Sequence, residues 1–486
     1  MDREDDREVQ AKLLSDTHRT EESLWWSVWI ESKKLWIVAG PAIFTRLSMF
    51  GVFAIAQAFI GHIGNTEMAA LSLVFHVLVR FSIGVLMGMS SGLETLCGQA
   101  FGAKQYHMLG IYLQRSWIIE SGFSLLIIPL FIFSAPILIS LGQTEDIALM
   151  ANTISLWYIP ILLLYIFNFT LQMYLQAQSK NMIITWLAML SLGLHVLGCW
   201  VLAQGIGLGV AGLMVSMIFS SWMPIIGQLI YVFYYCPHTW TGFSMQAFNG
   251  LWPIFKLSIS SGVMLCLEIW YNSALILLTG HMEDATIAIN ALSICLNING
   301  WELIISFGFL AAASVRVANE LGRGNTKAIK FAIVVVVATS LAIGVVIWAL
   351  ILGFRHNFSY IFSNSAAVAD AVSDLSILLV FSILLNSIQP VLSGVAVGAG
   401  WQSVVAYVNI ICYYLIGLPL GILLGFVAGL GVKGIWMGMM GGTASQTLVL
   451  LYFTCKTDWD KQVLIAKARV NRWLIPPSNE FDNIIA

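Results

Sequence analysis

The residue most able to do chemistry in this chain is a carboxylate inside an apolar stretch. The run Ser260-Ser261-Gly262-Val263-Met264-Leu265-Cys266-Leu267-Glu268-Ile269-Trp270-Tyr271-Asn272 continues to Leu278, with Glu268 well inside it. A charged acid at the centre of a membrane helix costs roughly 2.5–3.5 kcal/mol on insertion scales. Low dielectric penalises the ionised form, so a carboxyl placed there can take up and release a proton near neutral pH. Asn272 follows one turn later and shares the helix face of Glu268. Two roles fit: a proton-exchanging group on the wall of a cavity, or a permanently neutral carboxyl bonded to a neighbouring helix. Polar groups at such positions are rare and usually face a pathway, which favours the first.

Other polar residues recur at helical spacing within apolar runs. Asn290, Ser293, Asn297 and Trp301 lie on one face, with Asn299 and a second acid, Glu302, on another part of the same turns. Ser382, Asn386, Gln389 and Ser393 make a second stripe, and Asn168, Gln172 and Gln176 a third. Amides and hydroxyls also join helices, at about 0.6 kcal/mol each. Glu302 and the stripes together favour a wet cavity around Glu268 in the C-terminal half. Arg46 and Arg80 are intramembrane cations, and Arg80 stands one turn after His76. Each can snorkel to an interface or pair with a carboxylate such as Glu94 or Glu120. His195 reads as a hydrogen-bonded core histidine.

The elements that must position these groups are membrane helices. The 486 residues are 59% hydrophobic and 10% charged, against about 25% charged in an ordinary soluble chain. Runs of about 20 apolar residues, enough to cross a bilayer as helix, recur throughout. The all-α expectation is twelve spans: 36–60, 68–92, 109–134, 147–175, 182–203, 208–235, 253–279, 285–312, 328–354, 368–394, 402–427 and 432–455. Pro160 and Pro390 fall within the fourth and tenth, where proline bends a helix. A net charge of -2 and pI near 6.4 offer no basic patch for nucleic acid. The seven cysteines are scattered without a CxxC pair, so neither a zinc site nor a disulfide framework is indicated, and no cofactor is expected.

Residues 1–34 hold six basic and nine acidic side chains and read as a solvated, disordered tail. They lack the form of a cleaved signal peptide, and Leu13-Leu14 with Glu8 loosely resembles a sorting signal. Nineteen lysines and arginines fall in the two tails and the even-numbered connections, or just beside them. The opposite side has only Arg355 and Lys433. The positive-inside rule therefore predicts cytoplasmic termini, consistent with an even number of spans. The sequon Asn357-Phe358-Ser359 would then lie on the other side.

A repeat divides the chain. Gly61-His62 recurs as Gly280-His281, an offset of 219. Gln99-Ala100-Phe101-Gly102 is echoed by Asn319-Glu320-Leu321-Gly322 at 220, and Gly207-Leu208-Gly209-Val210-Ala211-Gly212 by Gly429-Leu430-Gly431-Val432-Lys433-Gly434 at 222. Three anchors at nearly constant offset predict two six-span lobes in the same orientation, related by an axis along the membrane normal. The lobes cover 35–235 and 253–455, with a linker at 236–252 and a cytoplasmic tail at 456–486. Parallel repeats of this kind occur in transporters that work by alternating access.

Several strings resemble signatures of the plant multidrug and toxic compound extrusion (MATE) family. They are Leu392-Ser393-Gly394-Val395-Ala396-Val397-Gly398-Ala399-Gly400-Trp401-Gln402, Ala313-Ser314-Val315-Arg316-Val317-Ala318-Asn319-Glu320-Leu321-Gly322, Cys266-Leu267-Glu268-Ile269-Trp270 and Leu93-Glu94-Thr95-Leu96-Cys97-Gly98-Gln99-Ala100. The resemblance covers the chain outside its two tails. It implies a V-shaped pair of six-helix lobes and a cation-coupled antiporter, in the plant branch usually driven by protons, with Glu268 as the principal coupling acid. Many plant relatives carry an aspartate where this chain has Asn386, which does not titrate. That asparagine and Asn299-Gly300-Trp301-Glu302 resemble the subgroup of flavonoid-glycoside and alkaloid carriers. The expected protein is thus a monomer in the vacuolar or plasma membrane. Its partners are a small organic substrate, protons and lipid. Asn386 is expected to donate a hydrogen bond to Glu268.

Two other readings stand beside it. A flippase for lipid-linked precursors wants a strongly basic cavity, to which only Arg46 and Arg80 contribute. A membrane-embedded transferase needs clustered acids or a catalytic histidine at the membrane edge, and Asp370 with Asp374 is the nearest approach.

Overall fold

A computed structural model describes the backbone at residues 2–279, 285–355 and 366–472. Side chains are described within those segments except at 2–22, 275–277, 279, 285–290, 366–368 and 472. The sequon at 357–359, the Gly280-His281 anchor and the side chains of Leu13, Leu14 and Asn290 lie outside the described residues.

The first lobe comprises α1 (Asp2–Gly61), α2 (Asn65–Gly102), α3 (His107–Ile132), α4 (Glu145–Ala177), α5 (Met182–Gly205) and α6 (Gly209–Tyr235). The second comprises α7 (Leu251–Thr279), α8 (Ala285–Arg323), α9 (Thr326–Phe354), α10 in two pieces (Ala366–Asn386 and Gln389–Ala399), α11 (Gln402–Val427) and α12 (Gly431–Lys456). A further amphipathic helix, α13 (Trp459–Arg472), follows. Among the described residues, eleven helices are long and apolar enough to cross a membrane. The twelfth expected span is α12, whose Thr443, Ser445 and Gln446 dilute its apolar character.

The N-terminal reading needs correction. Residues from Asp2 onward are helical and continuous with the first span, not a disordered tail. The segment contains neither glycine nor proline to stop a helix. Glu31 is also buried: Arg316 Nε of α8 lies 2.6 Å from its Oε1, and Arg316 Nη2 is 3.0 Å from Glu320. Tertiary pairing thus anchors the end of this segment at Glu31, a residue that composition alone would leave in water.

The repeat appears as geometry. Gly207 and Gly209 have φ of 78° and 55°, and Gly429 and Gly431 have 69° and 59°. The same double left-handed turn, which glycine adopts without a Cβ penalty, joins α5 to α6 and α11 to α12. π-type turns precede it in both lobes, at Cys199–Gly205 and Leu423–Val427. The second anchor marks where the lobes cross. A Cβ on Gly102 would collide with the Asn319 carbonyl, and one on Gly322 with the Gln99 carbonyl. Because 99 pairs with 319 and 102 with 322 at one offset, the contact is reciprocal, as at a two-fold interface. The lobes also meet where Gly88 of α2 abuts Gly262 of α7, and where Gly308 of α8 abuts Ala39 and Ile43 of α1.

Candidate functional site

Glu268 sits on α7 and is 6% exposed. Across from it α10 is broken: the first piece ends at Asn386 and the second begins at Gln389, with Pro390 in its first turn. Proline cannot supply the backbone donor and clashes with the preceding turn, which explains the break. The break turns Gln389 inward, so that its Nε2 donates to Glu268 Oε1 at 3.2 Å and to Ser393 Oγ at 3.2 Å. Glu268 Oε2 is buried with no hydrogen-bond partner among the described residues. One carboxylate oxygen is therefore fixed and the other is free to hold a proton.

The expected donor to Glu268 was Asn386, and the geometry differs. Asn386 Nδ2 donates to Asn299 Oδ1 at 2.9 Å and faces Glu302 together with Ser387. Glu302 is 4% exposed, and its Oε1 accepts from Ser306 Oγ at 2.5 Å. Asn386 and Gln389 flank the helix break and turn to different acids, because the two non-helical positions between them, 387 and 388, do not keep one helical face. Ser382, a turn earlier, accepts from Trp436 Nε1 at 3.0 Å and is buried. Asn272 is exposed, and its Nδ2 bonds the Glu268 backbone carbonyl at 3.0 Å, not the carboxylate. Ser293, Asn297 and Trp301 are exposed along one side of α8.

Sequence reasoning missed a buried polar chain behind Glu268. Tyr413 Oη donates to Gln446 Oε1 at 2.9 Å, Gln446 Nε2 to Asn409 Oδ1 at 2.8 Å, and Asn409 Nδ2 to the Met264 carbonyl at 3.1 Å. Tyr413 stacks on Tyr271 with ring centroids 4.2 Å apart, and Tyr271 Oη donates to the Met439 carbonyl at 2.7 Å. The signal was available: Asn409 and Gln446 are amides inside the eleventh and twelfth apolar runs. The network locks α7, α11 and α12 together behind the acid.

The fourth-span stripe does not join this site. Asn168 lines a cavity of about 120 Å³ walled entirely by first-lobe residues, among them Thr45, Tyr165, Ser191 and Gln228. Gln172 and Gln176 are buried further along α4. Arg46 is half-buried and bonds the Ala42 carbonyl of its own helix at 3.4 Å. Among the described residues no ion pair within 4 Å joins it to the buried Glu94. Arg80 is exposed. His195 is buried against Ser216 Oγ at 3.1 Å.

A model of the MatE family matches residues 41–201 and 261–423, one match in each lobe. The chain belongs to the MatE family. It is 57% identical over 484 residues to Protein DETOXIFICATION 21 of Arabidopsis thaliana, covering 98% of each chain. Protein DETOXIFICATION 20 of the same plant is 56% identical over 481 residues, again with 98% coverage of both. The crystal structure of the eukaryotic MATE transporter AtDTX14 superposes with a TM-score of 0.85 at 32% identity, covering 91% of this chain and 99% of that one. The protein is thus a multi-pass membrane transporter of the V-shaped MATE fold and not an enzyme.

Proposed function

We propose that the protein exports organic solutes in exchange for protons by alternating access, with Glu268 as the coupling acid. The observation that carries this reading is the half-satisfied carboxyl: one oxygen bound by Gln389, the other buried and bare, opposite a helix break. Protonation neutralises a buried charge and makes Oε2 a donor, which changes what Gln389 and α10 must satisfy. The flexible joint in α10 is where such a change can become movement, because it has no continuous ladder to resist it. Solute and proton then compete for one lobe interior, which couples their flows.

On this reading 35–235 and 253–455 are the moving lobes, 236–252 joins them, and both termini are cytoplasmic. The exposed polar edge of Ser293 and Asn297 borders the solute path, with Trp301 offering an aromatic surface. Such a lining suits flavonoid glycosides, alkaloids or similar xenobiotic-like compounds. The protein works as a monomer in the vacuolar or plasma membrane, and its partners are the solute, protons and lipid. Reconstitution in liposomes with an imposed pH gradient tests the proposal. Glu268→Gln keeps shape and removes titration, so gradient-driven exchange should collapse while the folded protein is recovered in normal yield. Full pH-driven exchange by Glu268→Gln overturns it.

A further inference from the structure

The helix after the last span is built into the junction between the lobes. Its buried positions Trp459, Val463, Ala466 and Val470 recur at intervals of three and four, so one face packs down as an amphipathic helix does. Its moorings are to the second lobe. Thr326 Oγ1 donates to Asp460 Oδ1 at 2.6 Å, and Trp401 Nε1 donates to Gln462 Oε1 at 3.2 Å. The rings of Trp401 and Trp459 lie 5.5 Å apart.

Arg469 reaches past these moorings to the other lobe. Its Nη1 donates to Gln99 Oε1 at 3.1 Å and to the Ala399 carbonyl at 3.5 Å. Gln99 belongs to α2 and is fully buried, and its Nε2 donates to the Gly398 carbonyl at 3.1 Å. The guanidinium sits where a Cβ on Gly400 would be, and Gly400 has a φ of 81°. It therefore occupies the C-terminal end of α10, where the helix dipole favours a cation. Burial lowers the guanidinium from the usual arginine value, and its two acceptors offset that desolvation.

Opening this side of the molecule must separate Gln99 from the second lobe. The repeat supplies a second, uncharged tie, since Asn319 Nδ2 donates to the Ala177 carbonyl at 3.2 Å. Other ties cross between the lobes as well: Thr95 Oγ1 of α2 donates to the Val397 carbonyl at 2.6 Å, and Arg316 of α8 pairs with Glu31 of α1. Of the two repeat-related amide ties, the one at Gln99 carries an arginine. We propose that Arg469 is a positioning residue of the transport cycle: moored to the second lobe, it grips Gln99 of the first and holds their shared end closed until it lets go. The proposal rests on the alternating-access reading above. It adds that a residue outside the twelve spans sets the balance between the two open forms.

The test measures lobe separation directly, in the full-length protein in nanodiscs without gradient or solute. Cys455, the exposed cysteine of the seven, is first changed to serine. Spin labels then go on cysteines at Lys104 and Lys327, exposed residues in different lobes. Arg469→Ala should raise the population with separated labels about tenfold, the scale of losing one hydrogen bond to a charged group. Arg469→Lys should fall between, because an ammonium lacks the guanidinium fork. Lys467→Ala, an exposed cation on the same helix, should match the parent. A distance distribution for Arg469→Ala that equals the parent's overturns the proposal, as does equal broadening by Lys467→Ala. If Arg469→Ala does not fold, Arg469→Lys decides: it keeps the charge and loses the fork, so the separated population should still rise, and a distribution equal to the parent's overturns the grip. Lobes that move this way in a protein that exchanges no protons would refute antiport and leave the grip standing.

Discussion

In the second lobe the buried acids stand beside a broken helix, whereas in the first they stand between helices that run on. α10 breaks between Asn386 and Gln389, while its counterpart α4 continues through Pro160 to Ala177. Glu120 of α3 has one oxygen bonded by Ser90 Oγ at 2.7 Å, and its other oxygen is buried without a partner. By satisfaction alone it resembles Glu268. What differs is the joint: the donor to Glu268 sits at the start of a helix fragment, and the donor to Glu120 sits within continuous α2. On the proposed reading, a half-satisfied acid serves as a coupling site when its donor comes from the broken helix, as Gln389 does for Glu268. The first-lobe cavity, lined by neutral Asn168, Ser191 and Gln228, has the room but no acid on its wall.

The largest expected effect breaks this comparison at its centre. Glu268→Gln should cut the coupling between proton and solute by about 5–150-fold, the usual range for linked sites. Glu120→Gln should leave it unchanged. Both are read as initial rates of solute exchange in liposomes at fixed pH gradients. An equal loss in both variants would mean that burial alone, without the joint, marks the coupling acid.

The next effect concerns what the lobes share. Gly102→Ala and Gly322→Ala each force a methyl into a facing backbone carbonyl, so each should destabilise by about 1–3 kcal/mol. Gly193, with open space around its Cβ position, should tolerate alanine. Thermal unfolding in detergent compares the three. Unequal losses at 102 and 322 would show that the reciprocal contact is not borne evenly.

Much of this was legible from the chain and some was not, for physical reasons. Apolar runs, the offset of 220 and the twin glycine turns depend on local composition and period, so they survive in one dimension. Glu268 was legible because an acid in hydrocarbon is costly wherever its partners are. Which donor serves it was not, because the answer depends on the two residues lost to helix at the α10 break. Asn386 and Gln389 read as one stripe only if the helix is unbroken. The N-terminal helix and α13 were hidden for a different reason. Their charges find partners hundreds of residues away, Glu31 with Arg316 and Arg469 with Gln99, and composition shows only the charge.

A smaller effect separates the two acids of the second lobe. Glu302 Oε1 is bonded by Ser306 from its own helix, and Asn386, which faces it from the break, already donates to Asn299, so less of a change in its protonation should reach α10. Glu302→Gln should therefore slow exchange about fivefold or less, the lower edge of linked-site effects, and keep its dependence on the pH gradient. Loss of that dependence would make Glu302 a partner in coupling.

The smallest expected effect comes from restoring an acid at 386. Asn386 Nδ2 donates to Asn299, and an aspartate there loses that donor unless it is protonated. It also faces Glu302, so two carboxyls would share one site. Like charges at close range release their protons in two macroscopic steps. Asn386→Asp should therefore retain transport with a broadened pH profile. The broadening should arise from the Glu302 side of the helix break and vanish in the double variant with Glu302→Gln. Glu268, held by Gln389 on the other side, should keep its role in both backgrounds. If the broadening persists in the double variant, aspartate 386 couples to Glu268 across the break, and the two sides of α10 form one site.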